Sequence, residues 1–219
     1  MKKTLLIVFA LALINLMALL FHGLGASTVV DESGKPLAGV HVVAEYWGET
    51  IYFYGSHRTC FRLEVMMTAA DGRFDVPFIS GNFNPIYFDR SRYIRYFKAG
   101  YEVVPNQIES ADPVKMQPFS GDAKQRFGRG SGLLAYGDYS VYNPQLACPD
   151  VQKKFYPLLL AIHAEAKQIA KTYEDRLRVL DYEYQIEIGN GTEEKVASKN
   201  YTEGKLRLRK EMGLQGNGY

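Results

Sequence analysis

Only two cysteines, four histidines and one tryptophan occur among the 219 residues of this chain. No segment repeats. Cys60 and Cys148 stand singly rather than in a Cys-x-x-Cys pair, and no histidine lies at ligand spacing from them. Zinc binding and thioredoxin-like redox chemistry therefore find no support, and no metal ligands are assigned. His22, His41, His57 and His163 fall in no serine-triad motif, so they read as surface or core-edge imidazoles and no catalytic residue is expected. Charge of one sign is lacking too. With 26 basic against 24 acidic residues the net charge is +2, too small a field to recruit nucleic acid. The Gly-Arg-Gly-Ser-Gly run at 128–132 lacks the Gly-Lys-Ser/Thr ending of a phosphate-binding loop and reads as linker. No cofactor is expected.

Aromatic and apolar residues are abundant instead. Sixteen Tyr, twelve Phe and a 47% hydrophobic content argue for a packed core rather than wholesale disorder. The first residues point to export: Met1, Lys2 and Lys3 form a short basic region, and no charge occurs from Thr4 to Phe21. A cleavable hydrophobic region spans roughly 7–15 residues and a membrane helix about 17–25. Residues 1–21 are thus either a signal peptide, cut near Ala26, or an uncleaved anchor that leaves the remainder facing the periplasm. In that oxidising compartment Cys60 and Cys148 are expected to form a disulfide that closes roughly ninety residues.

Periodicity divides the rest. Residues 28–30 form a short β-like run, followed by a turn in which Gly34 supplies a positive φ and Pro36 fixes the exit. Val40, Val42 and Ala44 alternate with His41, Val43 and Glu45, the pattern of a strand facing a core. Residues 51–54 and 61–67 read as two further strands, with a loop at 55–58. An Asp71-Gly72 turn then leads into alternating residues 73–76, and the Arg- and Tyr-rich run 92–98 reads as strand from its aromatic content. Residues 119–149 are an irregular linker, in which Tyr136, Tyr139 and Tyr142 recur every third position. From 150 to 188 the period turns helical. Val151, Phe155, Leu158, Ile162, Ala166, Ile169, Tyr173, Leu177, Leu180 and Tyr184 recur at three- and four-residue spacing, predicting one amphipathic helix with Asp150 as N-cap and Pro157 starting or kinking it. Residues 189–219 are polar and read as a mobile tail.

Residues 29–40, with Asp31, Gly34, Pro36, Leu37, Gly39 and Val40, follow an Asp-x-x-Gly-x-Pro-Leu-x-Gly-Val pattern. Thr68, Asp71, Gly72 and Phe74 follow Thr-x-x-Asp-Gly-x-Phe, and Gly100-Tyr101 closes the set. In these features residues 22–118 resemble the carboxypeptidase regulatory-like domain family of exported bacterial proteins. The resemblance implies a mainly β, prealbumin-like seven-stranded antiparallel sandwich, preceded by the N-terminal hydrophobic segment and followed by the C-terminal amphipathic helix. It also implies a folding, docking or adhesion accessory with no catalytic constellation. Ser27, where the family has Gly, and the long stretch from Trp47 to Cys60 depart from the pattern.

Function is expected to lie in binding. Cations interleaved with aromatics make Arg92, Tyr93, Arg95 and Tyr96, with Trp47, Tyr52 and Tyr54, the candidate ligand surface. The expected role is a non-catalytic cell-envelope binding or assembly module, its partner an envelope protein. The alternative is an accessory module that binds carbohydrate or peptidoglycan.

Overall fold

Alternating and helical periods set the frame of the computed structural model, which describes residues 26–52, 55–76, 88–102, 104, 113–127, 148 and 151–214. Its strands are β1 (Ala26–Val30), β2 (His41–Tyr52), β3 (Gly55–Met67), β4 (Arg73–Asp75), β5 (Phe88–Phe97) and β6 (Val114–Lys115). Its helices are α1 (Ala123–Phe127), α2 (Val151–Ile169), α3 (Tyr173–Gly189) and α4 (Glu194–Glu211). The strands form two three-stranded sheets, ordered β4-β1-β6 and β3-β2-β5. Pairing is antiparallel except between β1 and β6.

The central strand β2 is covered on both sides, which is why His41 to Tyr46 are all buried. Val42, Ala44 and Tyr46, with Ile94 and Tyr96 beside them, join Val29, Phe74 and Val114 of the small sheet in one core. Val43, Leu63 and Phe97 point the other way and pack with Leu158, Ile162 and Ala166 of α2. The order is therefore small sheet, large sheet, helices. Each fully buried Val, Leu or Ile contributes on the order of 1.5–3 kcal/mol, so both interfaces are driven by apolar burial.

The turn motifs meet in space. Asp31 Oδ1 accepts from the Ser33 and Lys35 amides and from the Ser33 hydroxyl, closing the turn, with Gly34 at φ 85°. Leu37 N–H donates to Val29, Gly39 N–H donates to Thr68, and the Thr68 hydroxyl donates to the Leu37 carbonyl. Gly72, at φ 74°, lies so close to β1 that a Cβ there would stand 2.5 Å from the Val29 carbonyl oxygen. Only glycine satisfies both demands.

Several expectations are corrected. The fold is mixed α/β rather than a mainly β seven-stranded sandwich: the described residues hold six strands, and the helices form a layer of their own. Residues 55–58, expected as a loop, belong to β3, because β2 and β3 pair from His41↔Met67 to Tyr52↔Gly55 as one long hairpin. The interval expected as a linker contains α1. The single helix predicted over 150–188 is two, because Thr172 and Asp175 form a capping box that starts α3 afresh and reverses the chain. Contacts of Tyr156 with Gly189 and of His163 with Glu183 show that α2 and α3 run antiparallel. Helix α2 itself runs through Pro157.

The tail expected to be mobile contains α4, which lies antiparallel on α3. Ala197, Gly204 and Leu208 are buried along one stripe, and Tyr201 hydrogen-bonds Asp181. A polar sequence sufficed because small residues on the inner face let the backbones approach. The N-terminal segment 1–21, Tyr54, the tyrosines at 136, 139 and 142, the 128–132 run and Asp150 lie outside the described residues. Among the described residues no helix is long and apolar enough to cross a membrane.

Candidate functional site

Strand register decides which candidate residues share a face. Glu45 pairs with Leu63 and Tyr93, and Trp47 pairs with Cys60, so these side chains point to the helix side of the large sheet. Arg58, two residues before Cys60, and Arg95, two after Tyr93, point the same way. A β-bulge follows: Tyr46 pairs with Arg62 and Trp47 with Cys60, leaving Phe61 unopposed and turned into the sandwich core.

The result is a compact cluster. The Arg58 guanidinium lies 5.8 Å from the Trp47 ring centroid and 5.0 Å from that of Tyr93, and its Nη2 donates to the Tyr93 hydroxyl. Behind it Trp47 Nε1 donates to Glu45 Oε2 at 3.3 Å, and Arg95 Nη2 stands 3.7 Å from the same oxygen. Glu45 is 6% exposed, so an indole N–H and a guanidinium hold a carboxylate almost out of water. Arg58 is exposed, whereas Trp47, Tyr93 and Arg95 are half-buried.

Arg92 and Tyr96 do not join this surface. As immediate neighbours of Tyr93 and Arg95 they point to the opposite face of β5. Arg92 is paired with Tyr46, and its Nη1 donates to the Val76 carbonyl at 3.4 Å. Tyr96 is buried against Phe74, ring centroids 5.6 Å apart, and burial pushes its phenol up to about 12. Tyr52 pairs with Gly55 at the far end of the hairpin, and its side chain lies outside the described residues, as does Tyr54.

Cys60 and Cys148 form the expected disulfide on the helix side of β3, level with Trp47. Further along, three groups fasten the helices to the sheet. Arg126 of α1 is buried with its Nη2 2.9 Å from Glu165 Oε2 of α2, and it donates to the carbonyls of Lys98 and Tyr101. Its guanidinium lies about 5 Å from the ring centroids of Phe97 and Phe119. Glu165 Oε1 accepts from the Gly100 amide at 2.7 Å, so every strong partner of this pair is internal. Lys154 donates to the Leu63 carbonyl at 2.8 Å and pairs with Glu64, covering part of the β3 edge.

Sequence reasoning missed Arg58 and Glu45. Hairpin register would have found them, since a two-residue connection between Tyr52 and Gly55 aligns Trp47, Cys60 and Arg58 on one face. Arg126 and Glu165 are 39 residues apart and carry no sequence signal of their pairing. Among the described residues no three His, Cys, Asp or Glu side chains are grouped to hold a metal ion. No protein-family model, no curated protein and no solved structure matches the chain.

Proposed function

We propose that this chain is a non-catalytic binding or assembly module of the bacterial cell envelope, and that it docks a protein partner through the Trp47, Arg58 and Tyr93 cluster. The observation that carries this reading is the stacking of an exposed guanidinium on two half-buried aromatic rings, backed by the Glu45–Arg95 pair. Trp, Tyr and Arg are the side chains that dominate protein-binding hot spots, because each offers large area with few freely rotating bonds or a planar fork of donors. Export belongs to the same proposal, supported by the basic and apolar N-terminal sequence and by the disulfide. Kinship with carboxypeptidase regulatory-like domains is part of it as well. Support comes from the interlocked turns around Gly34, Gly39 and Gly72, against which stands the layer of helices.

The test compares cross-linking of envelope proteins to the native chain and to Arg58→Ala and Tyr93→Ala. One partner captured by the native chain and lost with both variants supports the reading, and equal capture by all three overturns it. A glycan ligand is the second reading, favoured by the same aromatic pair. Arg58 lies over both rings, so a sugar stacking there has to displace it. Trp47 is the sole tryptophan, and its fluorescence reports this directly. Saturable change on adding soluble peptidoglycan fragments, abolished by Tyr93→Ala, favours the glycan.

A further inference from the structure

A second concavity lies far along the chain from that cluster, where α2, α3 and α4 converge. It has a volume of about 360 Å³, within the roughly 300–1,000 Å³ typical of small-molecule sites. Its floor is apolar: Val179 and Leu180 of α3 face Gly204 and Leu208 of α4, with Ala170 at the end of α2. Gly204 lets α4 close onto Leu180 of α3, and the recess lies beside that contact, where both helices meet Ala170 at the end of α2. A Cβ at Gly204 would stand 3.0 Å from Leu180 Cδ2.

Charge surrounds this floor unevenly. Lys167, Arg176 and Arg207 line the pocket against Glu183 and Glu211, three cations to two carboxylates. Glu183 is already shared, 3.2 Å from His163 and 3.6 Å from Lys167. The guanidinium groups of Arg176 and Arg207 make no ion pair or hydrogen bond among the described residues. Two arginines from different helices, neither ion-paired among the described residues, outnumber the one remaining carboxylate, Glu211, and leave a net positive charge beside the recess that complements a small organic acid. Arginine suits that role because its planar fork of donors matches a carboxylate.

We propose that this pocket binds a small organic carboxylate, whose apolar body rests on Val179, Leu180 and Leu208 and whose charge is held by Arg176 and Arg207. Binding there would couple α4 to α2 and α3, since the lining comes from all three. The site is separate from the Trp47 cluster, so the two readings stand or fall independently.

The test is protein NMR on the full chain with its disulfide intact and its Leu and Val methyl groups labelled. The probe is 3-phenylpropionate, with 3-phenylpropylammonium as the same body carrying the opposite charge. Saturable shifts are expected at Val179, Leu180 and Leu208 with the acid and not with the amine, while Val29 and Val42 of the sandwich core stay in place. Arg176→Gln combined with Arg207→Gln should weaken acid binding about tenfold or more, roughly the loss of one strong charged contact. Both side chains are exposed, so the fold should survive, and unchanged methyl positions elsewhere would show it. Absence of shifts at the three floor residues overturns the proposal, as does an equal response to acid and amine or undiminished binding in the double variant.

Discussion

The two cores of this molecule are held together by different means. Between the sheets, the core around Val42, Tyr46, Phe74 and Ile94 is built by strand alternation and by backbone hydrogen bonds between turns. Between the large sheet and the helices, apolar packing is supplemented by a disulfide, a buried ion pair and the Lys154 contact. The difference follows from geometry. Adjacent strands share ladders that fix register, whereas a helix lying on a sheet has no backbone ladder to it and needs point attachments to fix its position.

The comparison breaks most strongly at the disulfide. Replacing Cys60 and Cys148 together by Ser removes a cross-link spanning 88 residues, and the chain-entropy model puts the loss at about 4–5 kcal/mol. Hydrogen exchange should show protection falling in α2–α4 before it falls in β1 and β2. Uniform loss across both halves would mean that the attachments do not divide the molecule this way.

Next comes the buried ion pair. Glu165→Gln leaves the Arg126 cation buried beside a neutral partner, and chemical denaturation should register a loss of roughly 3 kcal/mol. Replacing both residues with apolar side chains of similar volume should recover only part of that loss, because no charge is then left without its partner but the Lys98 and Tyr101 carbonyls and the Gly100 amide lose theirs.

A smaller effect is expected at the start of α3. Asp175 accepts from the Thr172 and Lys171 amides while the Thr172 hydroxyl accepts from the Asp175 amide. Burial alone would raise the Asp175 carboxyl, but the Thr172 and Lys171 hydrogen bonds outweigh it and hold it below its ordinary 3.8. Its contribution is thus present above about pH 4 and is lost as pH falls through the folded-state value. Asp175→Ala should cost about 1 kcal/mol at neutral pH, read from helix content and melting, and should flatten the acid limb of stability.

The smallest effect belongs to His41, inside the sheet. Burial, reinforced by the charge of Lys98, holds its imidazole neutral to below its ordinary 6.5. The unfolded chain takes up that proton first, so stability is full above about pH 6.5 and declines as pH drops toward the folded-state value. His41→Gln should remove this slope from stability measured between pH 7 and 5. A slope that persists would assign the titration to another group.

The match between sequence and structure follows the same division. Alternation at Val40, Val42 and Ala44, the Asp71-Gly72 turn and the aromatic run into β5 all mark real strands, because each depends on neighbours within a few residues. The capping box at Thr172 is equally local, but the apolar period continues through it from Ile169 to Tyr173 and masks the break. Helix α4 is hidden in the sequence for another reason: its apolar stripe is thin, and its packing depends on Gly204 meeting Leu180 of a different helix. Within the candidate surface, Trp47, Tyr93 and Arg95 were legible as residue types. That Arg92 and Tyr96 turn inward follows from a two-residue period, and could have been read.

The sequence by itself determined the presence of strands and amphipathic helix, the turns that only glycine can make, and two cysteines suited to pairing. These rest on local sterics and on short-range periodicity. Only the tertiary structure decided that β2 is buried on both faces, that Arg126 finds Glu165, and that Arg58 lies over Trp47 and Tyr93. Those pairings join residues far apart in the chain, and their partners are selected by which faces the packing brings together.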